Sequence, residues 1–273
     1  MSVQHCLIAA EGPHDIEFVS KLLKELGFSR VTKLENLPAD WQRSMVPRTF
    51  PATGRNLNAP HPVPLFLSDG AGCSIALRNA VGVERVAETL ILDWRVMPQV
   101  PDAIAAILDA DQDDTPLQRH ATFAAAVGSL GIHLPTNPGE IHAGPPRSGV
   151  FVMPDNSSQG TLEDLLLECA AESYPTLLNG GRTLLAAGVA ASELRPDDRR
   201  EMQKRAGPSK VVAGAISTVL RPGRAIQTSI QDNRWLDATT IRLPRIRAVL
   251  RFLADLLDRP FPSAALHVGA SAD

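Results

Sequence analysis

The first two thirds of the chain alternate short apolar runs with amphipathic stretches. The apolar runs that predict buried strands are residues 6–10, 64–68, 103–108 and 149–153. The stretches whose apolar spacing predicts helices are residues 15–26, 74–90, 115–130 and 161–171. This recurring order of strand, loop and helix predicts an α/β fold with a mainly parallel sheet flanked by helices. In such a fold the functional groups lie at the carboxyl ends of the strands.

Two other regions depart from this alternation. Residues 37–64 are rich in proline and asparagine, and they predict a long loop or insertion. From residue 181 onward the sequence has helical patterns alone, most clearly over residues 211–220 and 241–257. We therefore expect a metal-binding α/β domain over residues 1–175 and a C-terminal helical extension over residues 176–273.

Composition indicates an ordered cytoplasmic protein. The hydrophobic fraction of 44% and charged fraction of 21% are typical of a globular chain of this length, 273 residues. The first apolar run reaches Glu11 too soon for a signal peptide, and no stretch approaches the roughly 20 apolar residues that span a bilayer. An odd number of widely spaced cysteines, Cys6, Cys73 and Cys169, predicts reduced thiols that serve as packing residues. We expect no membrane partner.

The net charge narrows the ways in which this chain could bind a nucleic acid. At -3, it argues against passive binding, in which lysine and arginine neutralise the phosphates. It does not argue against an enzyme whose bound metal ions supply positive charge locally.

Carboxylates follow the clearest predicted strand. Side chains alternate between the faces of a strand, so Asp109 and Asp111 can point the same way from its end. Two such carboxylates repel each other unless a cation lies beside them. Oxygen ligands of this kind suit Mg²⁺ or Mn²⁺, which commonly link a protein carboxylate to a phosphate.

Two further acidic positions follow apolar strands. Glu11 comes directly after the first strand, and Asp15 lies about one helical turn later. Glu163 lies in the first turn of the helix predicted after residues 149–153. Each has a structural alternative, because acidic residues in a first helical turn stabilise the helix dipole and Thr161 or Ser158 could cap that helix.

Together these acidic strand ends resemble the TOPRIM domain, in which a glutamate after the first strand and a DxD motif after a later one bind metal. The resemblance covers LIAAEGPHD at residues 7–15 and ILDAD at residues 107–111. Within the superfamily, Glu11-Gly12-x-x-Asp15 and GTLE at residues 160–163 are most similar to the overcoming-lysogenization-defect nucleases and their standalone relatives. The segment around residue 210 and residues 235–257 resemble the helical tail of those standalone relatives.

The resemblance implies a metal-dependent nuclease that acts on DNA or RNA with two divalent cations, Mg²⁺ or Mn²⁺. It implies that one cation is held by Glu11, Asp109 and Asp111. It implies that Glu163 supports the second, together with Asp15 or Asp113. Paired metals of this kind assist in-line displacement at phosphorus. In the helical tail, Lys210 is the candidate cation that would neutralise the transition state.

The sequence departs from the nuclease branch in two respects. It contains no Gly-x-x-x-x-Gly-Lys-[Ser/Thr] phosphate-binding motif, so a separate ATPase or other protein is a possible partner. The branch often has a serine near its last glutamate, whereas here Gly160-Thr161 precedes Glu163 and Ser158 is the nearest serine.

Other interpretations of the same residues stay open or are excluded. Asp109-x-Asp111 also resembles the nucleophile motif of haloacid-dehalogenase-type phosphatases, although here it lies in mid-chain and leaves Glu11 unexplained. A non-catalytic TOPRIM module that serves a partner protein is the other alternative. A calcium loop is excluded, because Asp114 and His120 occupy the positions that require glycine and glutamate. The histidines show no zinc-site spacing, and the sequence gives them no role.

Overall fold

A mixed β-sheet forms the centre of the protein. The computed structural model describes residues 3–47, 63–110, 114–232 and 234–262. The strands within these ranges are β1 (Gln4–Ala10), β2 (Ser29–Arg30), β3 (Leu65–Ser68), β4 (Cys73–Asn79), β5 (Ala103–Asp109), β6 (Ile141–His142) and β7 (Arg147–Met153). They form a seven-stranded sheet in the order β2-β3-β4-β1-β5-β7-β6.

The predicted parallel sheet is confirmed for the central strands and not for the edges. Strand β1 pairs in parallel with β4 and β5, and β5 pairs in parallel with β7. The outer strands β2, β3 and β6 pair antiparallel with their neighbours. Central strands that are buried on both faces are continuously apolar, as every residue of β5 is buried here.

Helices cover both faces of the sheet. Among the described residues they are α1 (Pro13–Glu25), α2 (Ala39–Ser44), α3 (Val86–Val96), α4 (Pro116–Val127), α5 (Leu162–Ser173), α6 (Pro175–Ala190), α7 (Pro196–Gln203), α8 (Gly207–Leu220), α9 (Ile226–Gln231) and α10 (Pro244–Leu257). One hydrophobic core joins a sheet face to α1, α5, α8, α9 and α10, and a second core joins the other face to α2, α3 and α4. The molecule is therefore layered as helices, sheet, helices.

The C-terminal helices share the first of these cores with the sheet. Phe252 of α10 packs on Phe151 of β7 with ring centroids 5.5 Å apart. Trp235, which follows α9, is fully buried, and its indole nitrogen donates to Ser229 Oγ at 2.7 Å. The helical patterns predicted from residue 181 are confirmed, since the described residues from there on form helices and loops and no strand. The boundary between a domain at 1–175 and an extension at 176–273 stays a prediction.

The helix predicted over residues 74–90 is wrong in its first half. Residues of β4 lie between β3 and β1, and the buried run around Ile75 is a strand. Short apolar runs do not distinguish a buried strand from a buried helix by periodicity, so neighbouring strands decide. The chain then turns through Val81 and Gly82, with φ of 59° and 119°, and helix α3 begins at Val86.

The predicted loop at residues 37–64 contains a helix in its described part. Helix α2 places Trp41 in the second core with no exposed surface. The indole nitrogen of Trp41 donates to Ser74 Oγ at 3.0 Å, which fastens α2 to β4. Residues 48–62 lie outside the described residues. In the described ranges, no helix is both long and apolar enough to cross a membrane.

Candidate active site at the carboxyl edge of the sheet

Glu11 and Asp109 lie side by side at the carboxyl ends of neighbouring strands. Ala10, the last residue of β1, pairs with Ile107 of β5, so both strands reach the same edge of the sheet. The backbone amide of Asp109 donates a 2.7 Å hydrogen bond to Oε1 of Glu11, across 98 positions of sequence. Asp109 retains only 9% of its surface in contact with solvent. The fold thus joins two carboxylates that the sequence leaves far apart.

The carboxylate of Asp109 also contacts the start of helix α5. The amide of Leu162 donates to Asp109 Oδ1 at 3.2 Å. Beside this contact, Ala110 and Gly160 exchange two backbone hydrogen bonds of 2.9 Å and 3.0 Å. A Cβ atom at Gly160 would lie 2.6 Å from Asp164 Oδ2, so this close approach requires glycine. The loop after β5 and the loop before α5 are therefore held together.

Glu163 completes the cluster from the first turn of α5. Its Oε2 accepts a 2.8 Å hydrogen bond from the Thr161 hydroxyl, and its Oε1 lies 3.7 Å from His14 Nδ1. Asp15 lies beside His14 in the first turn of α1, where its Oδ2 accepts from the Gly12 amide at 2.8 Å. Glu163 and Asp15 are both buried. The contacts thus lead from Glu163 back to the residues that follow Glu11.

The two buried carboxylates of Asp15 and Glu163 do not ionise over the same pH range. Burial, reinforced by the negative charge of Glu163, raises the pKa of Asp15 to about 6. Burial alone would raise the pKa of Glu163 too, but His14, the Thr161 hydroxyl and the charge of Lys210 together hold that pKa below its ordinary value. Glu163 is therefore the first of the two to ionise as the pH rises, and Asp15 ionises only as the pH passes about 6.

Helix α8 brings positive charge to this edge of the sheet. Lys210 lies in its first turn, exposed, and its charge acts on Glu163. The preceding residue, Ser209, donates from its hydroxyl to Asp164 Oδ1 at 2.5 Å, which ties the start of α8 to the start of α5. The sequence-predicted cation therefore lies near the sequence-predicted glutamate, and its role stays a prediction.

Two predicted ligands lie in a segment without a described conformation. Asp111 and Asp113 fall in residues 111–113, outside the described residues. The chain is described again at Asp114, whose carboxylate lies 3.7 Å from the guanidinium of Arg119 on α4. Arg119 is buried, and no sequence pattern assigns it a role. Arg119 is therefore a cation beside Asp114, the first described residue after that segment.

His14 is the other residue that sequence reasoning missed. The histidines of the chain lack the spacing of a zinc site, so the sequence assigns none of them a function. Its position in the sequence could have identified it, because His14 lies within three residues of Glu11, in the first turn of α1. A side chain on that turn shares the sheet edge with the strand end, and a histidine there can hold or transfer a proton near neutral pH.

The donor set suits a divalent cation, but the described residues do not form a complete site. Within the described ranges, no group of three or more His, Cys, Asp or Glu side chains is arranged so that it could hold a metal ion. The observation that fits a cation is the raised pKa of Asp15 beside ionised Glu163, because a cation would relieve the repulsion that protonation relieves here. Carboxylate oxygens are the ligands that Mg²⁺ and Mn²⁺ prefer.

Comparison with known proteins gives a family and a fold. The family model described as protein of unknown function (DUF3226) matches residues 6–256 of the chain. No curated protein matches it. Among solved structures, the crystal structure of a hypothetical protein from Pyrococcus horikoshii OT3 is similar, with a TM-score of 0.53 and 17% identity over 93% of this chain and 96% of that chain. At this identity the likeness establishes a common fold alone.

Proposed function

Because the chain belongs to the DUF3226 family, described as proteins of unknown function, we propose a function from the site itself: a metal-dependent TOPRIM nuclease. It would cleave phosphodiester bonds of a nucleic acid with Mg²⁺ or Mn²⁺ at the carboxyl edge of the sheet. The proposal includes the TOPRIM fold, a kinship with standalone relatives of the overcoming-lysogenization-defect nucleases, and a cytoplasmic location.

The observation that carries the proposal is the closed set of contacts among the acidic strand ends. Glu11 accepts from the amide of Asp109, and Asp109 accepts from the amide of Leu162. The next residue, Glu163, lies against His14 on the turn that follows Glu11. Acidic residues thus come together from the end of β1, the end of β5 and the start of α5, which are the three places where the TOPRIM resemblance implies metal ligands. An acid that only caps a helix at the surface would not be linked to the others by such contacts.

The chain offers residues for two cations. Glu11, Asp109 and Asp111 would hold one, and Glu163 with Asp15 or Asp113 would hold the other. Bound divalent cations would supply the positive charge that brings a phosphodiester to a protein of net charge -3 and that favours in-line displacement.

The protein's own side chains would orient the site and manage its charge. Asp109 fixes the start of α5 through the Leu162 amide, and the Thr161 hydroxyl orients Glu163. Lys210 lies where its charge acts on Glu163, so it would offset negative charge that develops on the reacting phosphate. His14 Nδ1, which faces Glu163, would hold a proton at the edge of the cluster.

The nuclease hypothesis is tested with purified protein and three substrates: supercoiled plasmid, linear DNA and RNA. Each is incubated with Mg²⁺, Mn²⁺ or a chelator. We expect cleavage with a metal, and Glu11→Gln should abolish it because Glu11 would lose a charged oxygen ligand. The matched control is Glu84→Gln, an exposed acid near α3, which should cleave like the wild type. Intact nucleic acid under every metal condition would count against a nuclease.

The same assay distinguishes the two alternatives. A haloacid-dehalogenase-type phosphatase would hydrolyse a small phosphomonoester, would lose that activity in Asp109→Asn and would tolerate Glu11→Gln. A non-catalytic TOPRIM module would turn over neither substrate, even when a partner protein such as a separate ATPase is supplied. No described contact favours either alternative over the nuclease.

A further inference from the structure

A polar groove is lined by Thr161 and Asp164, which flank Glu163 in the sequence. It runs between the start of α5 and the turn that joins α7 to α8, with a volume of about 400 Å³. Its lining includes Gly160 and Thr161, the two residues that lead into α5, together with Arg205 and Arg245. Thr161 donates to Glu163, so the groove opens next to the acidic cluster.

The carboxylates of the groove are already engaged by the protein. Asp164 accepts from the Thr161 amide at 2.9 Å and from Ser209 at 2.5 Å. Glu168 forms a 2.7 Å ion pair with Arg245, which also pairs with Asp155 at 2.8 Å. Each of these carboxylates therefore has partners within the protein, but Arg245 offsets only one of their negative charges, so Arg205 supplies the positive charge that an arriving anion would contact.

Arg205 differs from Arg245 because its side chain has no partner among the described residues. It is exposed, and within the described ranges its guanidinium makes no hydrogen bond or ion pair. A guanidinium presents donors in a rigid fork that matches two oxygens of a phosphate. An unengaged arginine over a groove that leads to an acidic, cation-binding edge is thus suited to an anion arriving at that edge.

The lining also limits what the groove can recognise. None of the lining residues, all in the described part of the chain, is aromatic, so the groove has no surface on which a base could stack. Contacts to phosphate fix position along a strand without reading its sequence.

We propose that Arg205 binds a backbone phosphate of a nucleic-acid strand adjacent to the phosphodiester that reacts beside Glu163. This inference rests on the proposed nuclease function and adds a subsite to it. The subsite would be indifferent to base sequence and would position the strand, while Lys210, whose charge acts on Glu163, would serve the reacting group.

The test compares Arg205→Ala with Arg224→Ala. Arg224 is a matched control, an exposed arginine beyond the other end of α8 with no ion pair in the described residues. Binding of a labelled single-stranded oligonucleotide is measured by fluorescence anisotropy in Ca²⁺ over a series of salt concentrations. We expect Arg205→Ala to weaken binding several-fold and to reduce the slope of log affinity against log salt by about 0.7, the value for one phosphate contact on a single strand. Arg224→Ala should bind like the wild type.

A second substrate separates this inference from the nuclease proposal. Bis(p-nitrophenyl) phosphate has one phosphodiester and no neighbouring phosphate, so Arg205→Ala should hydrolyse it with Mn²⁺ as fast as the wild type. If Arg205→Ala binds the oligonucleotide as tightly as the wild type does, the proposed subsite is wrong. If the protein still cleaves nucleic acid in that case, the nuclease proposal stands. A matching loss of bis(p-nitrophenyl) phosphate hydrolysis also overturns it, because Arg205 would then act at the reacting phosphate. If the wild type neither binds nor cleaves either substrate, the nuclease proposal fails and the subsite fails with it.

Discussion

Asp15 and Glu163 are two buried carboxylates on the first turns of different helices, and the charge of Glu163 helps to raise the pKa of Asp15 to about 6. The two helices begin at the same edge of the sheet because each follows a parallel strand. When both carboxylates of this pair are ionised, they repel each other in the metal-free protein. An ordinary pair of surface acids would be screened by water and would show no such shift.

The first prediction concerns the stability of the metal-free protein. The folded pKa of Asp15 lies above its ordinary value of 3.8, so the native state holds the proton more tightly than the unfolded state. Stability is therefore lost as pH rises from 3.8 to about 6, and the loss persists above that range. Asp15→Asn cannot ionise. We expect it to be more stable than the wild type at neutral pH by up to about 3 kcal/mol.

Urea unfolding in chelator, at about pH 3.5 and about pH 7.5, measures this difference. The advantage of Asp15→Asn should be large at the higher pH and small at the lower one. The control is Asp198→Asn, an exposed acid of α7, which should show no such pH dependence. An equal stability difference at both pH values would mean that Asp15 is not desolvated as described.

The second prediction separates two roles of Asp109. Its Oδ1 accepts from the Leu162 amide, so Asp109→Ala should destabilise the fold by about 1 kcal/mol through the lost helix cap. Asp109→Asn keeps an acceptor oxygen and should remain close to wild-type stability. Both variants should lose Mn²⁺ binding in calorimetry, because each removes a charged ligand. If Asp109→Asn bound Mn²⁺ like the wild type, Asp109 would be a structural cap alone.

The parts of this site that sequence could predict are those set by single elements. Apolar runs located the ends of β1 and β5, and so indicated Glu11 and Asp109, because a strand that is buried on both faces ends where polarity begins. Local pattern could not predict the 2.7 Å contact between them, which depends on β1 and β5 being neighbours in the sheet. Nor could it predict that Ala110 pairs with Gly160, since that bridge joins two loops.

The errors have the same origin. Residues 74–90 were predicted as helix because apolar spacing alone cannot show that β3 and β1 lie on either side of Ile75. His14 was given no role because its partner, Glu163, is distant in sequence and close only in the fold. Lys210 was selected by resemblance, and its charge does act on Glu163.

The third prediction concerns the cysteines. Burial raises the pKa of Cys169 to about 12, and contact with Cys73 raises the pKa of Cys6. Both thiols should therefore resist an aqueous disulfide reagent in the native protein, since the thiolate is the reactive form. The hydrogen bond that Cys73 shares with Cys6, with help from Arg259, lowers the pKa of Cys73, so any slow native labelling should begin there.

Mass spectrometry of protein treated with Ellman's reagent identifies which cysteine reacts and how fast. All three should be labelled in denaturant, which is the internal control for reagent and protein. Rapid labelling of Cys169 in the native state would contradict its buried position in the first core.

The last prediction links the C-terminal helices to the site. Arg245 of α10 pairs with Asp155 in the loop after β7 and with Glu168 of α5, at 2.8 Å and 2.7 Å. Burial alone would raise the pKa of Asp155, but hydrogen bonds from the amides of Ser158 and Ser157 outweigh it and lower the pKa to about 2. Arg245 thus pairs with an ionised carboxylate five residues before Gly160, whose backbone pairs with Ala110.

Arg245→Ala should therefore loosen the loop that leads into α5 while costing the fold only about 1 kcal/mol, since the ion pairs are partly exposed. Hydrogen exchange measured by mass spectrometry should show faster exchange in the peptides that contain Ala110 and Gly160, because local opening exposes their paired amides. Arg242→Ala, an exposed neighbour just before α10, is the control and should leave these peptides unchanged. Unaltered exchange in Arg245→Ala would show that the loop is held by its own turn, and that α10 supports the sheet without positioning the acidic edge.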